Sequence, residues 1–180
     1  VFMPQKTLGR VNRTQLYFKD RAKFLSMITR EIRNHEILCK KYDLKPVIRL
    51  NTTSDIMWEN HKIMELFPKT QFYDYSKHFK RMLKYLKGDM PKNYHLTFSR
   101  NEVNDFQATQ VLKAGGNVAV VFRKELPETY KGFKVVSGDD HDLRFLDEAN
   151  VVVGLKEKLS LNKATGKLDR DKSGFVVDLK

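Results

Sequence analysis

The spacing of apolar residues changes along the chain, and the changes mark its elements. Between residues 14 and 42, Leu25, Ile28, Ile32 and Cys39 recur at helical spacing and Pro46 sets a limit, which predicts one long helix. From there the pattern alternates. "PVIRLN" (46–51) reads as a strand, Trp58 to Phe67 as a short helix closed by Pro68, and "TQFYDYS" (70–76) as a strand. Lys77 to Lys87 reads as a helix with Phe79, Met82, Leu83 and Leu86 on one side, ended by Gly88. "NYHLTFS" (93–99) is the next strand. Glu102 to Ala114 follows as a helix with Val103, Phe106 and Val111 inward, stopped by Gly115 and Gly116. "NVAVVF" (117–122) and "NVVVGLK" (150–156) are nearly all apolar, as strands covered on both faces should be.

Strand and helix in turn, with short links, imply right-handed crossovers and a mainly parallel sheet. The expected fold class is therefore α/β, as an incomplete (β/α) barrel or an open sheet. At 180 residues one domain is expected. Residues 1–45 would form an N-terminal arm and long helix, 46–157 the β/α core, and 158–180 a polar extension, with "GFVVDL" (174–179) returning as an edge strand. No run of about 18 apolar residues suggests a membrane span. Cys39 is the only cysteine, so neither an internal disulfide nor a cysteine-rich metal site is available, and a reducing, cytoplasmic setting is expected. Lys and Arg number 34 against 22 Asp and Glu, a net charge of +12 that favours polyanionic partners.

Ligands of parallel α/β folds bind beyond the carboxyl ends of the strands, and that rule turns the strand list into a site list. After "PVIRLN" come Asn51, Thr52, Thr53, Ser54 and Asp55; after "TQFYDYS" comes Lys77; after "NYHLTFS" come Arg100, Asn101 and Glu102. Each has a plainer reading. Ser54 or Asp55 can cap the helix carrying Trp58, and Ser99 or Asn101 the next one, with Glu102 in its first turn. Capping explains neither Arg49 nor an Asp74 set between Tyr73 and Tyr75. The expected pocket comprises Arg49, Asn51, Ser54, Lys77, Ser99, Asn101 and Glu102, with Arg49 and Lys77 holding an anion. Asp55 or Asp74 would be the general base if there is catalysis.

Asp139, Asp140 and Asp142 could hold a divalent cation, but their spacing matches no calcium loop and "GDD" reads as a turn, so no cofactor is expected. "VVVGLK" has Gly154 where a Glu-x-Lys nuclease strand would place its acid. Walker-type phosphate loops, G-x-S-x-G elbows and H-E-x-x-H zinc helices are absent. The strongest nucleic-acid feature is the third helix and its tail. Lys80, Arg81, Lys84, Lys87 and Lys92 should point outward to track phosphates, with Tyr75 as a stacking platform. A solvated lysine face is the plain alternative.

"VIRLNTTSDIMWE", "FPKTQFYDYSK", "NYHLTFSRNE", "GGNVAVVFR", "GDDHDLRFLD" and "VVVGLK", in that order, resemble an uncharacterised protein family of bacteriophages and mobile elements. The likeness runs from Gly9 to Val177. The resemblance implies a phage setting and a host-cell cytoplasm, but no activity to carry over. Members of that family usually have an upstream stretch with closely spaced cysteines. Its lack here implies a shortened member, or a missing front, without any cluster those cysteines would hold. The leading expectation is a phage-type protein that contacts DNA or RNA through its basic helix, with a strand-end pocket for a nucleotide or base. A small-molecule enzyme acting on a phosphorylated or carboxylated substrate, and a phage factor binding a host protein, are the alternatives.

Overall fold

The computed structural model describes residues 4–52, 54–161, 166 and 168–179. Residues through Ile48 form one compact unit and those from Arg49 another. The first contains α1 (Pro4–Lys19), α2 (Arg21–Lys41) and β1 (Val47–Ile48). The single helix expected over 14–42 is thus two helices, and the first begins well upstream. The break is Asp20, whose backbone leaves the helical region (φ −146°, ψ 75°) while its carboxylate accepts the Lys23 N–H at 3.0 Å. An aspartate that satisfies an orphan donor in this way starts a new helix. Phe24, Ile32 and Cys39 form the buried stripe of α2, and Tyr17 meets Phe24 edge-on at 5.5 Å between ring centres.

The expected strand "PVIRLN" is cut to two residues. Arg49 bends its guanidinium back to the Asn51 carbonyl at 3.0 Å, so the chain leaves the extended path there. The second unit then continues with a 3₁₀ turn (Trp58–His61), α3 (Ile63–Leu66), β2 (Gln71–Ser76), α4 (Phe79–Leu86), β3 (Tyr94–Ser99), α5 (Asp105–Lys113) and β4 (Val118–Phe122). After these come β5 (Thr129–Tyr130), β6 (Phe133–Ser137), a 3₁₀ turn (Arg144–Leu146), β7 (Val152–Lys156), β8 (Ser160–Leu161), β9 (Leu168–Asp169) and β10 (Val176–Val177). The helix expected over Trp58–Phe67 is two short turns because Lys62 between them is left-handed (φ 54°).

The sheet of this unit runs β2–β3–β4–β7–β6–β5 and stays open, which decides against the barrel. Its ladders are parallel except for the β5–β6 hairpin. Register fixes its two faces. Phe72, Asp74 and Ser76 pair with Tyr94, Leu96 and Phe98 on one face, and Tyr73 and Tyr75 with His95 and Thr97 on the other. Helices α4 and α5 cover the first face, where Met82, Leu96, Phe98 and Val111 are wholly buried. The link from β6 to β7 crosses the second face, with Phe145 tilted against Tyr73 at 5.8 Å.

One further expectation changes. α5 starts at Asp105, so Val103 and Phe106 point to solvent (79% and 72% exposed) and the inward face is Ala108, Val111 and Leu112. The β5–β6 hairpin turns on Lys131 and Gly132, both at positive φ, the geometry of a tight two-residue turn, but Lys-Gly is not its usual sequence. The expected return of "GFVVDL" falls at β10, which among the described residues pairs with β4 alone. This strand pairs with the second half of β4 (Val176↔Val121, Val177↔Phe122), while β3 holds the first half (Phe98↔Val118, Ser99↔Ala119). The two strands share one side of β4, so a fork opens where β3 gives way to β10. Arg100 fills the fork, donating from Nη1 to the Gly174 and Phe175 carbonyls at 2.7 Å each and from Nε to Asp105 at 3.1 Å. β8 and β9 form a separate antiparallel pair, and residues 162–165 of the expected extension lie outside the described residues. No helix among the described residues is long and apolar enough to cross a membrane.

Phe98 is fully buried and meets Phe79 edge-on at 6.4 Å, tying β3 to α4. Phe98→Ala should lower unfolding stability by about 3–5 kcal/mol, read as a lower urea midpoint at unchanged denaturant slope.

Candidate ligand cleft at the strand ends

Asn51 organises the loop that follows the first strand. Its backbone N–H donates to Asp74 Oδ1 at 2.8 Å. Its side-chain carbonyl accepts from Ser54 Oγ, the Ile56 N–H and Trp58 Nε1 at 2.8–3.0 Å, and its amide nitrogen donates to the Ile56 carbonyl and to Asp74. Every polar atom of the Asn51 side chain is therefore occupied within the protein. Ser54 serves Asn51 rather than a helix, and the 3₁₀ turn at Trp58 has no side-chain cap. Asp55 accepts from Ser76 Oγ at 3.0 Å and the Lys77 N–H at 2.9 Å, fastening the loop to the end of β2.

Beneath the loop sits Arg81. Only 3% exposed, it points inward from α4, contrary to the outward direction expected of it. It grips Glu59 through two bonds of 2.9 and 2.7 Å, Asp55 at 2.9 Å and the Tyr94 hydroxyl at 2.6 Å. Tyr94 in turn donates to Asp74 at 3.0 Å. A buried guanidinium needs such partners, since removing one side of a buried pair costs about 3–5 kcal/mol.

These contacts shape a cleft of about 350 Å³ beyond β2 and β3. Arg49, Asn51, Ser54, Asp55, Lys77 and Ser99 all line it, joined by Thr52, Tyr75 and Ser76; Thr53 lies outside the described residues. Arg49 stacks over the Tyr75 ring at 4.7 Å and pairs with Asp142 at 2.8 Å. Asp142 also accepts from the hydroxyls of Tyr73 and Tyr75 at 3.1 and 3.3 Å.

Other expected site residues fall elsewhere. Asp74 is fully buried under Asn51 and Tyr94 and does not line the cleft. Asn101 accepts from the Val103 and Asn104 N–H groups, closing a local turn, and Glu102 is exposed outside the cleft. The N-cap position of α5 falls on Asn104, with Asp105 in the first turn, in place of Ser99 or Asn101 followed by Glu102; the Asn104 side chain makes no capping bond and holds the Asn101 N–H and the Ser99 carbonyl instead. Asp139 accepts the Lys156 N–H at 2.8 Å while Asp142 is engaged with Arg49, and among the described residues no three acidic, histidine or cysteine side chains converge as a metal site. Lys80, Lys84, Lys87 and Lys92 are all exposed. Phe175 and Arg100 close the far side of the cleft region; Arg100 stood on the strand-end list but outside the expected pocket, and Phe175 on neither. For Phe175 the signal was the apolar "FVV" inside a polar tail.

The chain is thus a mixed α/β protein built on an open, mainly parallel sheet, with polar loops gathered at the strand ends. It matches a family of phage-type gene products over residues 2–179, and belongs to that family, Gene product 88. No curated protein and no solved structure gives a significant match.

A buried and a half-buried titrating group carry opposite signs. Burial raises the Asp74 carboxyl from 3.8 to about 6, against hydrogen bonds from Asn51 and Tyr94 and the charges of Arg81 and Arg49. The folded state therefore binds a proton that the unfolded chain lacks between these values, and Asp74 adds stability as pH falls from about 7 to 4. His95, held between the Tyr85 hydroxyl and Thr97, is lowered from 6.5 to about 4 by burial and by Arg144. It refuses a proton the unfolded chain accepts, and removes stability over much the same range. Measured by urea unfolding against wild type, acidification from about pH 7 to 4.5 should progressively weaken Asp74→Asn and strengthen His95→Gln. The relative change is on the order of 2 kcal/mol each. Two difference curves of the same sign would contradict the assignment.

Proposed function

We propose that the chain binds a strand of DNA or RNA, with phosphates along the outer edge of α4 and a nucleotide at the strand-end cleft. One observation carries the reading: Lys77 adjoins both places. It lines the cleft just before α4 begins, and Lys80, Lys84 and, at the C-cap, Lys87 follow at intervals of four and three residues, the spacing of one helix face. All four are exposed, and among the described residues no carboxylate lies within ion-pair distance of their ammonium groups. Such cations are available to release counterions from a phosphate backbone, which paired ones are not. Arg81 is excluded from the ridge. Tyr75 keeps a role at the cleft wall, although one ring face is already covered by Arg49.

The carboxylates favour binding over catalysis. Asp55 is filled by Ser76, Lys77 and Arg81, and Asp74 is sealed beneath Asn51, so neither is poised to take a proton from a ligand. Oligonucleotide binding by the whole chain should be firm near about 50 mM salt and fall steeply toward about 200 mM. Replacing Lys80, Lys84 and Lys87 together by Ala should reduce the log–log salt slope by about 2 for a single strand, without lowering the melting temperature. Absence of binding by wild type at low salt would reject the proposal, and an unchanged slope in the triple variant would move the contact off α4.

A further inference from the structure

Helices α4 and α5 lie side by side on one face of the sheet. They run the same way, since each leaves the end of one parallel strand and returns to the start of the next. Gly116, just past the end of α5, sits against α4, where a Cβ would approach Met82 and Leu86 to 2.9 and 3.0 Å. The sides turned away from the sheet therefore form one outer surface. On α4 it presents Lys80, Lys84 and Lys87. On α5 it presents Phe106 and Gln110, with Val103 just ahead of the first turn.

The two halves of this surface differ in chemistry. The α4 half is cationic. The α5 half is apolar where it begins: Val103 and Phe106 are among the most exposed large apolar side chains of the described residues. The start of α5 is held firmly, because Asn101 accepts the Val103 and Asn104 N–H groups and Asp105 is paired with Arg100 and Lys131. Glu102, exposed beside Val103, repels phosphate from this half. A ligand that suits both halves is anionic along one edge and offers flat apolar groups along the other. A single nucleic-acid strand has that form, whereas a duplex hides the faces of its bases in its own stack.

We infer that this surface takes a single strand in preference to a duplex, with the backbone along the α4 lysines and a base stacked on Phe106. The inference rests on the nucleic-acid reading above and adds to it the strandedness of the ligand and the side chain that meets a base. Tyr75 is the poorer platform, because Arg49 already covers one of its faces. Phe106 makes no ring or cation contact among the described residues, so both the charge and the ring on this surface are open to a ligand. Stacking on an aromatic ring tolerates every base, and no base preference is expected.

The test is a fluorescence-anisotropy titration of the full chain, at about 50 mM salt, with a mixed-sequence single strand, an abasic strand of equal length and the corresponding duplex. Phosphate tracking alone favours the duplex, whose charge is denser, so tighter binding of the single strand is diagnostic. Phe106→Ala should weaken the single strand about tenfold at an unchanged salt slope, and leave the abasic strand and the duplex as in wild type. A wild-type chain that holds the duplex as tightly as the single strand overturns the inference and leaves the α4 lysines standing. So does a Phe106→Ala variant that binds the single strand unchanged, or that weakens the abasic strand equally. Absence of binding to all three ligands by wild type removes both readings. Phe106→Trp, which keeps a ring, gives an independent readout over the constant emission of the buried Trp58. Quenching of its emission by the bound single strand supports the stack, and unquenched emission in the complex overturns it.

Discussion

A guanidinium that is almost entirely out of water governs the end of this sheet. Arg81 cannot be left unpaired at 3% exposure, and its partners come from a stretch with little regular structure of its own: Glu59 and Asp55, which also takes the Lys77 N–H. The loop is folded because the charge demands it. Asp74 and Asn51 complete the arrangement from the strand side, the carboxylate accepting the Asn51 N–H and the Asn51 side chain gathering Ser54, Ile56 and Trp58. Without these contacts residues 49–59 would have few reasons to adopt one conformation, because only two short turns and the Trp58 side chain anchor them. The cleft is the space this network leaves open.

The fork at β4 sets the other boundary. A parallel strand usually has one neighbour along its whole length on each side, but β4 gives its first half to β3 and its second half to β10. The two neighbours cannot occupy the same line, so the end of β3 swings away and Arg100 bridges the gap to the carbonyls preceding β10. This brings Phe175, from the last residues of the chain, beside Tyr75 from the middle of it, on the walls of one cavity. Ligands of open α/β sheets bind where neighbouring strands diverge, and here the divergence comes from a tail strand pairing with β4 where β3 ends.

How much of this was legible in the sequence follows from how local each cause is. β4 and β7 are read correctly because nearly continuous apolar runs bounded by turns have few other uses, and β2 and β3 because aromatic and β-branched residues gather between turn signals. Arg49, Asn51, Ser54, Asp55, Lys77 and Ser99 could be grouped because strand ends in a parallel sheet gather at one edge, and they do line one cleft. Arg81 was misread because on a helical wheel it stands among outward lysines, and the carboxylates that draw it in are 22 and 26 residues away. Val103 and Phe106 were misread because their apolarity was taken for burial, yet single exposed hydrophobic residues are common on surfaces. Asp20 broke a helix that periodicity alone would have continued. The apolar "FVV" announces a strand near Phe175, but its place beside Tyr75 depends on the pairing of β10 with β4, which no local pattern encodes.

The same network changes what the net charge of +12 means. The acids around the strand ends are largely committed inward or to partners: Asp55 and Glu59 to Arg81, Asp142 to Arg49, Asp105 to Arg100 and Lys131, Asp147 to Arg144. The arginines at these strand ends, Arg49, Arg81, Arg100 and Arg144, are equally committed. What remains at the surface of α4 is lysine, whose compact, strongly hydrated ammonium is costly to bury and favours the outer face. The allocation therefore separates the two cations by task. Arginine, with its planar fork, builds the frame, and lysine supplies the field. A composition with the same totals but with Lys and Arg exchanged would leave the loop without its bidentate anchor. It would not bring Arg81's carboxylates outward, because their positions are set by the loop they fasten. The exposed lysines of α4 are thus what the frame leaves over once its acids are used up.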